Sequence, residues 1–600
     1  MKRIFLFVCL SFLFSCTDNQ PSLVNSVPRS WHYVSAKDSL GNDFKKVSQT
    51  DILLLTNDNG KNNFKYDIEK ENIHAAGTWE LKDSTLVFTY TLAPKITDVD
   101  STVYSVADGK PVLIYFKEGK EITRVEPSGV SSQHAVRSFR ITECSDTRMV
   151  FAENGIIFIF SYTPVVSEGN INVISILRGL LGVAFLILML WFFSSNRKAI
   201  PWKLVWAGLV LQMIFAIGVL KVDFIKNIFE VCGGFFVKVL SFTHEGAVFL
   251  FGNLTNNTES LGFIFAFQIL PTILFFSALT SLLFYLGILQ KIVYGIAWVM
   301  SKTMKLSGAE SLSAAGNIFL GQTESPLLIR HYLPTMTRSE ILCVMIGGMA
   351  TIAGGVMAAY IGFLGGDDPV RRLFFAKHLL AASVMSAPAA IVTAKMLLPQ
   401  TESIERKLDV SKEKIGTNVL EAITNGTTDG LRLAVNVGAM LVVFTAMVAM
   451  LNYVFVQVGD ITNLNSKISG MTDGKFSGLT MQFILGYIGA PVSWLMGVCK
   501  EDIVLVGQLL GEKTVLNEFV AYTSLGKMEF SHQFAEEKSV IIATYILCGF
   551  ANFASIGIQI GGIGALAPNQ KTTLSQLGIK ALIGGTMASL FTAVLVGMII

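Results

Sequence analysis

The chain has 600 residues, a mean hydropathy of +0.54 and only 15% charged residues, against roughly a quarter in ordinary soluble proteins. A soluble protein of this length could not bury so much apolar surface, so part of the chain is expected to lie in lipid. The net charge of +3 comes from scattered basic residues, which argues against a nucleic-acid-binding face. The seven cysteines show no CxxC spacing, which argues against a zinc site or a disulfide framework.

The N-terminal residues have the pattern of an export signal. Lys2 and Arg3 precede a short apolar run that ends at Phe14, and Ser15 and Cys16 follow. The run is too short to span a bilayer, so residues 1–16 are predicted to be a signal peptide. The residues before Cys16 resemble a bacterial lipobox, in which the cysteine is acylated and becomes the new N-terminus. An uncleaved anchor with an incidental cysteine is the alternative.

Residues 17–165 are polar and predict a small all-β domain, placed in the periplasm if Cys16 is lipidated. Strand-like runs alternate with turn signals such as 58–60 and 108–109, which predicts a meander that closes into a small barrel. The segments 77–80 and 85–88 are similar to a strand pair of lipocalin-like bacterial lipoprotein domains. Either a barrel that holds a small apolar ligand or a packed barrel with a spacer role fits this pattern.

Residues 172–600 predict a polytopic α-helical membrane domain. Two interrupted apolar regions, about 292–335 and 500–530, predict re-entrant hairpins, which survive at membrane depth only inside protein or beside water. Arg197, Lys198 and Lys203 fall in the first loop, which the positive-inside rule places in the cytoplasm of a bacterial inner-membrane protein. About eight spans of ~20 residues are expected at about 173–195, 201–221, 262–289, 341–363, 376–398, 431–457, 538–560 and 578–600.

Two polar clusters interrupt this domain at corresponding places. Residues 317–326 and 516–522 are each followed by a span broken by small or polar residues, 351–356 and 549–556. Two such interrupted segments in two halves of a membrane protein point to the midplane binding site of a transporter. An ionisable side chain there costs at least ~2.5 kcal/mol, so Glu324 and Glu518 argue for function over packing.

The two clusters supply groups for a polar solute and for a cation. Hydrogen-bonding groups for a neutral solute come from Gln322, Thr323, Glu324, Glu518, Asn552 and Ser555. Oxygen ligands for sodium come from the side chain of Asn317, the Thr351 hydroxyl, and the carbonyls near Leu320, Thr351 and Ile352. Each Ser, Thr or Asn taken alone is more typical of helix-packing contacts, and only the combination with both glutamates favours function.

Four segments, 321–326, 517–522, 549–556 and 561–568, closely resemble the signature segments of the concentrative nucleoside transporters. The resemblance covers roughly residues 172–600 and says nothing about the first 165. It implies a homotrimer with inverted repeats, eight spans and two re-entrant hairpins that imports nucleosides with sodium or protons. It implies no enzyme activity and no organic cofactor.

The resemblance also implies residue roles. The nucleobase would be lined by Gln322, Thr323, Glu324 and Val356, the ribose would be held by Glu518, Asn552 and Ser555 with Phe550 beside them, and sodium would be held by Asn317, Leu320, Thr351 and Ile352. At Thr351 the family members have serine, so the hydroxyl is retained. Asn317 and this hydroxyl favour sodium coupling. Proton coupling, and a membrane-anchored receptor or sensor, are the alternatives.

Overall fold

The chain divides into two compact units, Met1–Ser167 and Glu168–Ile600. The computed structural model describes the strands between residues 30 and 161, without their connecting segments, and residues 173–600 except 257–263, 367–368, 411–415, 473–475 and 531–532. The predicted signal peptide and lipidation site at Cys16 lie outside the described residues.

The first unit contains a closed barrel of antiparallel strands. The barrel order is β1-β3-β4-β5-β6-β10-β11-β12, and β12 pairs back on β1 with Ser161 opposite His32. β2 lies at the edge of β1, and β7–β9 form a separate sheet inserted between β6 and β10. This confirms the predicted small all-β domain. The strands are β1 (Ser30–Lys37), β2 (Asp43–Lys45), β3 (Ile52–Asp58), β4 (Lys61–Ile68), β5 (Ile73–Lys82), β6 (Thr85–Thr91), β7 (Ser101–Ala107), β8 (Lys110–Lys117), β9 (Lys120–Val125), β10 (His134–Cys144), β11 (Arg148–Glu153) and β12 (Ile156–Ser161).

The barrel interior contains a packed aromatic cluster. Trp31 and Trp79 are buried in it, and the ring of Phe151 lies 4.7 Å from that of Phe139 and 4.9 Å from that of Phe160. Alternate residues of a strand point to one face, so every second residue of these strands joins the core. Side chains fill the interior of small barrels in this way. Among the described residues, the packing therefore favours the packed barrel over the ligand-holding one.

The second unit is entirely helical in its described part. Within the described residues, eight helical stretches are long and apolar enough to cross a membrane, by length and composition, if Phe265–Tyr285 and Arg338–Gly365 are each counted as one stretch. This agrees with the predicted polytopic fold. The helices are α1 (Val173–Phe193), α2 (Trp202–Lys221), α3 (Asp223–Phe251), α4 (Asn253–Asn256), α5 (Phe265–Gln268), α6 (Leu270–Tyr285), α7 (Ile288–Met304), α8 (Gly308–Asn317), α9 (Arg338–Ala350), α10 (Gly354–Gly365), α11 (Pro369–Leu397), α12 (Val419–Ile461), α13 (Leu464–Met471), α14 (Met481–Leu495), α15 (Ile503–Val515), α16 (Glu518–Phe530), α17 (Glu537–Leu547), α18 (Phe553–Leu566) and α19 (Lys571–Ile599), with short 3-10 helices at Arg197–Ala199, Ser325–Ile329, Leu333–Thr335 and Pro568–Gln570.

The set of long helices differs from the expected spans at two places. The stretch expected as a span at 538–560 consists of two half-helices, α17 and α18, with a break between them. The long helix α3 was not expected, because Lys226, Glu230 and Lys238 interrupt its apolar residues. The number eight therefore agrees with the expectation although the members of the set differ.

Two similar groups of elements form the centre of the unit. The first repeat is a hairpin (α8 and the 3-10 helix Ser325–Ile329), a broken helix (α9 and α10) and the long helix α11. The second repeat is a hairpin (α15 and α16), a broken helix (α17 and α18) and the long helix α19. Most residues of both broken helices, α11 and α19 are buried, whereas few residues of α12 are. The repeats therefore form the core of the membrane unit.

The sequence dictates where each broken helix stops and restarts. At the first break, residues 351–353, the backbone of Thr351 is extended and the helix resumes at Gly354. At the second break, residues 548–552, Gly549 has φ +114°, which L side chains rarely adopt. The side chain of Asn552 then caps the N-terminus of α18. Most residues of both breaks are buried inside the protein, which is the environment that irregular backbone needs at membrane depth.

Candidate functional site

The two breaks touch each other at the centre of the membrane unit. A Cβ atom placed on Gly549 would lie 2.6 Å from the carbonyl oxygen of Met349 and 2.8 Å from that of Ala350. Only glycine fits this approach. Four helix ends lie at the two breaks. The N-termini of α10 and α18 carry partial positive charge, and the C-termini of α9 and α17 carry partial negative charge.

The tip of the first hairpin carries a buried acceptor without a donor. Asn317 is the last residue of α8, and it is 1% exposed. Its Nδ2 lies 3.5 Å from the Ser313 hydroxyl, while its Oδ1 has no hydrogen-bond partner. A buried unsatisfied acceptor costs about 1–3 kcal/mol, so a group that supplies positive charge would be stabilising at this atom.

Asn317 and Thr351, two of the predicted sodium residues, both contact Gly347 of α9. A Cβ on Gly347 of α9 would lie 2.8 Å from Asn317 Nδ2, so Asn317 packs against α9 one turn before Thr351. The Thr351 hydroxyl donates to the Gly347 carbonyl at 2.9 Å, and its oxygen lone pairs stay available to a cation. Leu320 lies in the hairpin tip and Ile352 in the first break, and both are buried. This set of neutral oxygens suits a hard monovalent cation.

Backbone contacts fix the hairpin tip against the first break. The amide of Gly354 donates to the carbonyl of Phe319 at 3.0 Å. The hydroxyl of Ser383, on α11, donates to the carbonyl of Ile318 at 3.0 Å. Because these bonds join the tip to α10 and α11, a ligand that binds between tip and break acts on one connected body.

The second hairpin and the second break are joined by a short hydrogen bond. Glu518 is the first residue of α16, and its Oε2 accepts from Asn552 Nδ2 at 2.6 Å. Asn552 Oδ1 accepts in turn from the amide of Ser555 at 2.9 Å. Asn552 thus caps α18 and holds Glu518 with the same side chain. Both side chains are buried.

A further bond connects the two repeats. Gln322 of the first hairpin donates from Nε2 to the Ser555 hydroxyl at 3.2 Å, and its Oε1 has no partner. Glu518, Asn552, Ser555 and Gln322 therefore form one chain of contacts across the touching breaks, although they lie far apart in sequence.

The side chains of the other candidate residues lie around this chain without joining it. Thr323 packs on α18, since a Cβ on Gly562 would lie 2.5 Å from its Cγ2. The carboxylate of Glu324 accepts from the amide of Gly321 at 3.2 Å, within its own turn. Val356 lies in the first turn of α10 and Phe550 in the second break, and both are buried. Of these two apolar residues, Phe550 is joined to the polar chain, since its carbonyl accepts from the amide of Asn552 at 2.9 Å.

Sequence reasoning missed several buried polar residues beside the breaks. Lys513, on α15, is fully buried and contacts the C-terminus of α17. Gln559 of α18 donates to the carbonyl of Met345 on α9 at 2.9 Å. Glu310 and Lys395 form a buried ion pair at the start of the first hairpin. The cost of an ionisable group in a membrane, used for Glu518, applies equally to Lys513 and would have found it.

Comparisons with known proteins agree with this architecture. Three family models match: the Na+ dependent nucleoside transporter N-terminus over residues 181–254, the nucleoside recognition "Gate" over 266–367 and the Na+ dependent nucleoside transporter C-terminus over 378–597. The chain is 40% identical over 431 residues to an uncharacterized transporter of Haemophilus influenzae, covering 71% of this chain and 98% of that protein.

More distant relatives extend the comparison. The chain is 38% identical to the rat Sodium/nucleoside cotransporter 2, covering 70% of this chain and 62% of the rat protein, less than two thirds of its length. It also resembles a solved structure of CNTnw in an inward-facing substrate-bound state, with 35% identity and a TM-score of 0.64, covering 71% of this chain and 98% of that one. The chain therefore belongs to the Na+ dependent nucleoside transporter family and is a multi-pass membrane transporter of the concentrative nucleoside type.

Proposed function

We propose that this protein carries nucleosides into a bacterial cell across the inner membrane by symport with sodium. The observation that carries the proposal is the buried chain Glu518–Asn552–Ser555–Gln322 at the touching breaks, beside the unpartnered acceptor of Asn317. A neutral polar solute finds donors and acceptors there, and a cation finds neutral oxygens next to it.

The polar chain suits the two ends of a nucleoside. The Glu518 carboxylate accepts hydrogen bonds from vicinal ribose hydroxyls, while Asn552 and Ser555 supply further partners for them. The amide of Gln322, with a free Oε1, meets the donors on the edge of the nucleobase together with Thr323 and Glu324. Val356 and Phe550 line the apolar faces of the solute. When the solute binds, it replaces the hydrogen bonds that these side chains make with one another. The selectivity between solutes therefore depends on their shape and on how many hydrogen-bonding groups they carry.

Sodium would occupy the space between the first hairpin tip and the first break. Asn317 Oδ1, the Thr351 hydroxyl and the carbonyls of Leu320, Thr351 and Ile352 give about five oxygens without net charge, which suits an ion that must also leave. The ion would fix the tip that carries Gln322. Sodium and nucleoside would then raise each other's affinity by the same factor.

Uptake into proteoliposomes tests this function. The purified chain is reconstituted, and entry of labelled uridine and adenosine is followed under an inward sodium gradient, with choline in place of sodium, and under an imposed pH gradient. We expect uptake only with sodium. Uptake that follows the pH gradient in choline would assign the carrier to proton coupling, and binding without uptake would favour a receptor.

The assembly and placement of the chain form a second part of the proposal. The long helix α12 exposes Val442, Met450 and Tyr453, an apolar face that needs lipid or another subunit. We propose a homotrimer, with residues 17–165 tethered in the periplasm by acylated Cys16. Light scattering of the detergent-solubilised protein, corrected for detergent, measures the number of subunits, and a monomer would contradict the trimer.

A further inference from the structure

Lys513 places a positive charge at the C-terminus of the half-helix α17. Its ammonium donates to the carbonyl of Ile546 at 2.9 Å, to the carbonyl of Cys548 at 3.4 Å and to the hydroxyl of Ser589 at 3.1 Å. An ammonium has three donors, and all three are used. The side chain is 0% exposed.

The surroundings of Lys513 are those of an ion ligated by neutral oxygens. The three acceptors are two main-chain carbonyls and a hydroxyl, and the two carbonyls lie beside the second break. By contrast, the buried Lys395 pairs with the carboxylate of Glu310. A buried charge is costly unless it is compensated, and at Lys513 the compensation comes from carbonyl dipoles and the negative end of α17.

The position of Lys513 in the second repeat matches that of Asn317 in the first. Asn317 ends the first helix of its hairpin and faces the C-terminus of α9 at the first break. Lys513 lies in the last turn of the first helix of the other hairpin and faces the C-terminus of α17 at the second break. At this position the first repeat has the Asn317 oxygen, an acceptor without a donor. The second repeat has the Lys513 ammonium, a cation surrounded by acceptors.

We propose that the ammonium of Lys513 is the resident cation of the second repeat, in the position that the transported sodium takes in the first, so that the carrier moves one sodium ion per nucleoside. The inference rests on the proposed sodium symport. Lys513 is a positioning residue: it ties the second break to α15 and α19, and so holds Asn552 and Glu518 where the ribose binds.

Two substitutions separate a charge role from a space-filling role. Lys513→Ala removes the ammonium and leaves a space lined by the carbonyls, whereas Lys513→Met fills the space without charge. We expect both to lower uptake about tenfold or more, the effect of losing hydrogen bonds from a charged group. Added methylammonium should restore uptake in Lys513→Ala and not in Lys513→Met, because only the first has room for it.

A matched control and a direct count complete the test. Lys538 also donates to a main-chain oxygen, that of Ile600 at 2.6 Å, but it lies at the N-terminal end of α17, opposite the end that meets the second break. Lys538→Ala should show no amine dependence. Dual-label uptake of sodium and uridine by the unmodified protein should give a ratio of one, with a Hill coefficient for sodium near one.

The outcomes distinguish this inference from the proposed function. If uptake by the unmodified protein ignores sodium, the sodium symport itself fails. If it depends on sodium with two ions per nucleoside, or if Lys513→Met transports like the unmodified protein, the resident-cation inference fails and the symport stands. Folded Lys513→Ala protein that methylammonium cannot rescue also overturns it. Because the ion count needs no substitution, a variant that does not fold leaves the inference testable.

Discussion

The two hairpins meet at the same centre but leave their polar groups in different states. In the first hairpin, Asn317 Oδ1 and Gln322 Oε1 are buried without partners. At the second, Glu518 is bonded to Asn552, and Asn517 Oδ1 accepts from the amide of Val520 at 2.9 Å. The difference teaches that repeats of one architecture can divide the work. Two acceptors of the first tip lack protein donors, whereas Glu518 and Asn517 of the second tip are held by protein donors; Glu512 Oε2, on α15 of the second hairpin, also lacks a partner.

Removing the charge at the second tip should have the largest effect. Glu518→Gln keeps the size of the side chain but replaces the carboxylate that we propose accepts from ribose hydroxyls. Hydrogen bonds to charged groups contribute about 1.5–3 kcal/mol, so we expect ribonucleoside affinity to fall roughly 10- to 150-fold. A dideoxynucleoside is the control, because its affinity should change little. Equal ribonucleoside binding by variant and unmodified protein would contradict the ribose role.

Disturbing the close contact between the two breaks should have the second-largest effect. Gly549→Ala forces an L side chain to φ +114° and against the Met349 carbonyl. Such strain costs about 1–3 kcal/mol, so we expect a lower melting temperature and weaker nucleoside binding. Gly557→Ala is the matched control, since a Cβ there meets nothing within 4 Å. Equal melting temperatures for the two variants would show that the breaks do not need their close approach.

The open acceptor of the first tip should govern the response to sodium. Asn317→Ala removes a ligand but also a buried unsatisfied group, so the melting temperature in choline should be unchanged or higher. We expect the sodium concentration for half-maximal nucleoside binding to rise roughly tenfold, as for ~1.4 kcal/mol of lost ion binding. Melting curves and binding titrations in sodium and choline measure both. An unaltered sodium titration would remove Asn317 from the ion site.

The bond between the repeats should have a smaller effect. Gln322→Ala and Ser555→Ala, alone and combined, form a double-mutant cycle for the contact at 3.2 Å. We expect a coupling free energy of about 0.5–1.5 kcal/mol in the melting of the nucleoside-free protein. Saturating uridine should reduce this coupling, because the solute replaces the bond. A coupling that uridine leaves unchanged would place the solute elsewhere.

Loss of the proposed lipidation site at Cys16 should affect transport least. Cys16→Ala should abolish labelling with a palmitate analogue, while uptake per folded transporter stays the same because the spans hold the protein in the membrane. Mass spectrometry of the mature N-terminus detects the acyl group, and uptake into vesicles measures transport. A mature protein without an acyl group would refute the lipobox.

The sequence singled out Glu518, Asn552, Ser555 and Gln322, which the structure brings into contact, because a charged group in a membrane is costly and is therefore rare there. The barrel followed in the same way from strand alternation and turn residues. The contact of Gly549 with Met349 could not be predicted, since it depends on how two distant broken helices cross. The long helix α3 was not predicted because charged residues interrupt its apolar sequence. Lys513 was not predicted because the cost of burying a charge was applied to the glutamates and not to this lysine.

The bonds Gln322–Ser555 and Glu518–Asn552 join residues of the proposed nucleoside site to one another. A symporter must also return empty after each delivery, and then its recognition groups have no solute to satisfy them. When these polar groups bond to each other, the free-energy cost of keeping them away from water in the empty carrier is lower. The unpartnered oxygen of Asn317 is part of the proposed ion site, so a carrier loaded with sodium alone would be distinct from both the empty and the full one. The side chains that we propose bind the nucleoside would thereby also speed the return of the empty carrier and limit leakage.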